Sequence, residues 1–127
     1  EMIIVTGGAY QGKLAVAKSL CKKENPVIAE GKEASLEELE QADIIAQFHL
    51  YIRRLLEKGI EPEKQVEELC RKNPQVILEI TQLGCGVVPM DAFDRNYREQ
   101  VGRISCKIAE SAEAVYMVNC GIAKRLK

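Results

Sequence analysis

The sequence predicts a three-layer α/β domain with a mainly parallel sheet of about five strands. Three observations carry this. Short apolar runs alternate with amphipathic stretches along the whole chain. The first run, 2–6, is nearly continuously apolar rather than alternating, as in a strand covered on both faces. The first run leads directly into a glycine loop that opens a helical pattern. The length, 127 residues with 46% hydrophobic content, suits one domain with one buried core, spanning 1–127.

The elements follow in order. Residues 2–6 form the first strand and 12–23 a helix, with Leu14, Val16, Ala17, Leu20 and Cys21 on its apolar face. Asn25-Pro26 turns the chain into a short strand at 27–29. Ser35 with Glu38 forms a capping box for a helix at 36–41. Residues 43–48 make the third strand, and the helix after it ends at Gly59. Pro62 sits in the first turn of a helix that Asn73-Pro74 closes. The fourth strand spans 76–81, followed by a glycine loop over 84–89. Residues 91–111 form the longest helix, with Tyr97, Val101, Ile104 and Ile108 as its core stripe. A fifth strand covers 114–118, and 122–126 offers a short edge strand.

Composition excludes several roles. With 18 basic and 19 acidic residues the formal charge is −1, which supports neither a nucleic-acid nor an anionic-membrane surface. No apolar run approaches the roughly 20 residues of a membrane span. The opening run is too short for a secretion signal, so a cytoplasmic location is expected. The five cysteines are odd in number and lack C-x-x-C spacing, which argues for reduced thiols rather than disulfides or zinc. Cys85, in the glycine loop, is read as structural.

The chemistry concentrates at Gly7-x-x-x-x-Gly12-Lys13, a phosphate loop between a buried strand and a helix. Gly7, Gly8, Ala9, Tyr10, Gln11, Gly12, Lys13 and Leu14 are the candidate nucleotide-binding residues. Glycines let backbone N–H groups converge on phosphate oxygens, the helix start adds its positive dipole end, and Lys13 reaches the outer phosphates. A Ser or Thr after the lysine would ligate magnesium, but the residue is Leu14. The acid expected at a neighbouring strand end is also replaced, by Gln47 and Gln82. Glu79, inside the fourth strand, is a weak candidate for a metal-facing acid, and an ion pair with a basic residue is the favoured reading. The lone His49 is read as a packed or half-exposed helix residue rather than a nucleophile.

From residue 81 onward the chain resembles a known family. Thr81-Gln82-Leu83-Gly84-Cys85-Gly86-Val87-Val88-Pro89 leads to Arg95-Asn96-Tyr97-Arg98-Glu99 and Gly102-Arg103, then to Ala112 through Val118 and Gly121-Ile122. This succession, with the opening Thr6-Gly7-Gly8-Ala9, resembles adenosylcobinamide kinase/adenosylcobinamide-phosphate guanylyltransferase, a P-loop enzyme of cobalamin biosynthesis. The good match covers 2–23 and 76–127. The resemblance implies a P-loop NTPase-like fold, ATP or GTP with Mg2+ as cofactor, a corrinoid substrate and a homo-oligomer, the family being known as a ring-like trimer. It implies phosphoryl transfer to the adenosylcobinamide hydroxyl, with Lys13 and Arg98 as the catalytic candidates. Gln82, Gly84, Gly86, Arg95 and Arg103 are candidates for substrate or phosphate contact. This sequence departs from the family at Leu14, Gln47 and Thr81-Gln82. The segment bearing the family's nucleotide-accepting histidine is missing, so guanylyl transfer is expected to be lost. The alternative is a catalytically degenerate nucleotide-binding sensor or partner subunit, and a third reading is a ligand-free scaffold.

Overall fold

A computed structural model describes residues 1–9, 11–83 and 91–127. Among the described residues the chain forms a P-loop NTPase-like α/β fold with six strands and five helices. They run β1 (Ile3–Gly7), α1 (Lys13–Leu20), β2 (Ile28–Glu30), α2 (Leu36–Gln41), β3 (Ile44–Ala46), α3 (Phe48–Glu57), α4 (Pro62–Lys72), β4 (Ile77–Thr81), α5 (Ala92–Ser111), β5 (Ala114–Asn119) and β6 (Ile122–Arg125).

The strand order is β2-β3-β4-β1-β5-β6, with every pair parallel except β5–β6. The sixth strand is the short edge strand that the sequence offers at 122–126. The edge strand β6 is exposed along its length and joined to β5 through Cys120 and Gly121, both at positive φ, 50° and 76°. Two successive left-handed residues are what a two-residue hairpin needs to match the strand twist.

β1 is apolar over Ile3, Ile4 and Val5 because each face has its own helical cover. Val5 packs with Ala17 of α1 and with Ile44, Ile77 and Val118 on one face. Ile4 joins Ile45, Leu78, Ile80 and Val115 beneath α3, α4 and α5 on the other. Tyr97, Val101, Ile104 and Ile108 are the buried face of α5, at the spacing read from the sequence. β1 leads into α1 on one face, whereas its neighbour β4 leads towards α5 on the other. A crevice therefore opens above the carboxyl ends of β1 and β4, where ligands of open α/β sheets bind.

Two boundaries differ from expectation. β3 stops at Ala46 rather than continuing to Phe48, because Gln47 turns left-handed (φ 51°) and Phe48 begins α3, fully buried. α1 stops at Leu20 rather than residue 23: Cys21 is extended and its N–H closes the helix on the carbonyls of Ala17 and Lys18. Lys23, outside the helix, sits 2.8 Å from Asp43. The Ser35–Glu38 capping box of α2 is fully formed, with both reciprocal hydrogen bonds in place.

Candidate functional site

The crevice collects the carboxyl ends of β1, β3 and β4. Gly7 ends β1, is buried and has φ 152°; a side chain there would run into the carbonyl of Val118 on β5. Its carbonyl accepts a hydrogen bond from Gln82 N–H at 2.8 Å, which ties the end of β4 to the start of the loop. Gly12 is left-handed (φ 85°) and precedes α1 with no side-chain cap. The first-turn N–H groups are thus left without a side-chain acceptor, and the dipole end faces the loop. Gly8 and Gln11 are half-buried and Ala9 is exposed, while Tyr10 lies outside the described residues.

The β5–β6 turn braces this loop, which the motif did not announce. Cys120 N–H donates to Gln11 Oε1 at 2.6 Å, and Gly121 N–H donates to the Gln11 carbonyl at 2.8 Å. The available signal was Asn119-Cys120-Gly121 between two apolar runs, a hairpin signature of moderate strength. Gly31 was also missed. Any side chain on it would meet the backbone of Ala46 and Gln47, and its carbonyl accepts from Arg54 at 2.8 Å.

Lys13 opens α1 and is only 6% exposed. Its ammonium donates to the Gly8 carbonyl at 2.7 Å and lies 3.8 Å from Glu79 Oε2. Glu79, 5% exposed, stands on β4 beside Val5, and its other oxygen accepts the Gln47 N–H at 3.0 Å. Burial pushes the Glu79 carboxyl above the ordinary carboxylate range, the Gln47 N–H and Lys13 pull it back, and Glu30 adds a smaller upward push. One carboxylate thus joins the phosphate loop to the β3–α3 junction.

His49, in the first turn of α3, is 6% exposed. The Thr81 N–H donates to its Nδ1 at 3.3 Å, which assigns the ring hydrogen to Nε2. Burial first, and the Lys13 charge second, lower its pKa to about 4. A neutral imidazole is therefore expected across the physiological range. As the chain's single histidine it gives one set of ring resonances, and an NMR titration should find a midpoint about 4. A midpoint near the ordinary 6.5 would contradict the buried acceptor role. Since the unfolded chain binds the proton first, stability should fall by up to about 3 kcal/mol as pH drops through that window.

The remaining candidates divide. Gln82 is exposed at the rim, tied by its backbone to Gly7. Arg98 is half-buried, with Nε 3.2 Å from Asp94 Oδ2. It lines a groove of about 380 Å³ with Thr6, Thr81 and Gln82 at one end and Ile4, Ile80 and Val115 along its floor. Arg95 is exposed in the first turn of α5, Arg103 is exposed further along the helix, and neither lines the groove. Gly84, Cys85 and Gly86 lie outside the described residues.

The cradle fits a phosphate: an uncapped helix start, a left-handed glycine at its entrance and a buried lysine. The same residues do not fit magnesium. Leu14 is half-buried against the Val5–Ala17 cluster, where an alkyl chain belongs and a metal-ligating hydroxyl is absent. Gln47 and Gln82 offer neutral amides, and both Glu79 oxygens face donors of the protein itself. Among the described residues no group of three or more His, Cys, Asp or Glu side chains assembles. The cysteines at 21, 70, 106 and 120 are free. Among those residues, too, no helix is long and apolar enough to cross a membrane.

Comparison with known proteins adds an independent line. Residues 37–126 match the family described as cobinamide kinase / cobinamide phosphate guanyltransferase (CobU). The match begins after the phosphate loop, so it does not depend on that motif. The chain is also 31% identical over 74 residues to the bifunctional adenosylcobalamin biosynthesis protein CobU of Salmonella typhimurium, and equally to that of Escherichia coli. Each alignment covers 57% of this chain and 41% of the relative, so the chain spans less than half of the curated proteins it matches. With a family match over most of its length and the strand order to carry the phosphate loop, the chain belongs to the cobinamide kinase / cobinamide phosphate guanyltransferase family.

Proposed function

We propose that the chain binds the phosphates of ATP or GTP at Gly7–Lys13 and serves a cobinamide-related step. The observation that carries the reading is Lys13 buried at an uncapped helix N-terminus, behind a loop whose two end glycines hold positive φ. Backbone N–H groups and one cation converge there on an anion. A corrinoid substrate and phosphoryl transfer to its hydroxyl come to this chain through its family. In such a transfer Lys13 would offset charge on the phosphates, and Arg98, which lines the neighbouring groove together with Thr81 and Gln82, would offset charge on the transferred group. Guanylyl transfer is not part of the proposal, since His49 is buried, neutral and occupied by the Thr81 N–H.

A second reading is favoured by the misfit to magnesium: a nucleotide-binding sensor or partner subunit without turnover. Equilibrium binding of labelled GTP and ATP, with and without magnesium, tests both. Binding that is indifferent to magnesium, with no phosphorylated adenosylcobinamide at high protein concentration, supports the second reading. Strictly magnesium-dependent binding with product formation supports the first. Failure to bind any nucleotide would remove both. If only the metal-binding groups are missing, Leu14→Ser combined with Gln82→Glu should restore magnesium dependence to the affinity. The Leu14 change should cost about 1–2 kcal/mol of stability, because that side chain packs against the core.

A further inference from the structure

We propose that Glu79 is the resident counter-ion of Lys13, and that an anion entering the phosphate loop is bound together with one proton, taken up by Glu79. The proposal rests on the phosphate-binding reading of the loop and says how that loop balances charge without a metal ligand set.

The geometry leads there in steps. Lys13 is the one cation the loop itself carries, and at 3.8 Å its charge is already matched by Glu79. Both groups are about 95% removed from solvent, at 6% and 5% exposure, so water screens neither well. An arriving phosphate must draw on Lys13, and whether the ammonium swings away or bridges, the anion's charge comes to lie beside the carboxylate. Two like charges held close in a poorly solvated site cannot both persist, and one of them takes a proton. In a conventional phosphate loop a divalent cation relieves this crowding. Here Leu14, Gln47 and Gln82 stand where its protein ligands would be.

Of the groups facing Glu79, Lys13 and the Gln47 N–H favour its charged form while burial and Glu30 oppose it, and an anion that draws on Lys13 tips that balance. From α1, Lys13 is withdrawn electrostatically by the anion. From the end of β2, Glu30 adds a further negative charge. From the β3–α3 junction, the Gln47 N–H donates to Oε1 and leaves Oε2 to carry the proton. From α3, His49 is neutral with Nδ1 occupied by the Thr81 N–H, so it supplies no compensating charge. Burial has already raised the Glu79 carboxyl before any anion arrives. The step balances: a solvent proton binds the carboxylate, the acid is neutral, and the ammonium is free to serve the phosphate.

Inorganic sulfate is the probe, because it presents a tetrahedral dianion that does not itself titrate near neutrality. Calorimetric titration of the whole chain, in two buffers of different ionisation enthalpy at about pH 6, should give different apparent enthalpies, corresponding to uptake approaching one proton per sulfate. Sulfate affinity should rise by up to about tenfold per unit fall in pH. In Glu79→Gln both effects should vanish while sulfate still binds, and in His49→Asn both should persist. The wild-type buffer comparison stands even where a variant folds poorly. Sulfate binding with no buffer dependence overturns the coupling and leaves the phosphate reading intact. Loss of the uptake in His49→Asn overturns the assignment to Glu79. Absence of both sulfate and GTP binding overturns the phosphate reading and the proposal with it.

Discussion

Gly7→Ala is expected to lower the unfolding free energy by about 3 kcal/mol or more. Two independent costs add at this position. The backbone sits at φ 152°, a conformation that L side chains rarely adopt. The new methyl group would also strike the carbonyl of Val118 on the adjoining strand β5, which is paired with β6 at that residue and with β1 just before it. Relief requires β1 and β5 to separate at the point where Gly7 also accepts the Gln82 N–H. Gly8→Ala is the control, since a methyl group there would meet only the flexible Gln11 side chain, 3.7 Å away. That variant should lie within about 1 kcal/mol of the wild type. Urea unfolding of the two variants side by side measures the difference. Equal midpoints would show that the β1–β5 contact yields easily, and that Gly7 is needed for the ligand rather than for the sheet.

Most of the scaffold was legible because its determinants are local. The apolar run 2–6, the glycine spacing into Lys13 and the period of Tyr97, Val101, Ile104 and Ile108 each encode their element within a few residues of sequence. The errors fall where a partner distant in sequence decides. Gln47 leaves β3 because Glu79, on another strand, captures its N–H, and no local propensity for a left-handed glutamine announces that. Residues 21–23 continue the amphipathic pattern of α1, yet Lys23 leaves the helix for Asp43 at the start of β3. The phosphate loop was readable as a motif, but its brace, the Cys120–Gly121 turn, contacts Gln11 across 109 residues. The pairing of Glu79 with a basic residue was expected from the cost of burying its charge. That the partner would be Lys13 follows only from the parallel register that sets Glu79 beside Val5.

Replacing Lys13 by Met should lower stability at neutral pH by roughly 3–5 kcal/mol, because it leaves Glu79 buried with the Gln47 N–H and no cation. The loss has a defined pH dependence. The folded-state pKa of Glu79 is already raised by burial and rises further once Lys13 is gone. The native variant therefore holds a proton that the unfolded chain releases at its ordinary 4.5. Its stability deficit is full above the folded pKa and shrinks as pH falls through that value, down to the unfolded one. Guanidinium unfolding at neutral pH and at about pH 5 should show the variant closing on the wild type as acid is added. Pairing Lys13→Met with Glu79→Leu should recover most of the neutral-pH loss, since an apolar pair has no charge to desolvate. Nucleotide affinity should behave differently and stay at least tenfold down in the double variant, because nothing replaces the cation. If the recovered stability brings the affinity back with it, Lys13 serves the core alone, and the anion must be held by the loop backbone and the α1 dipole.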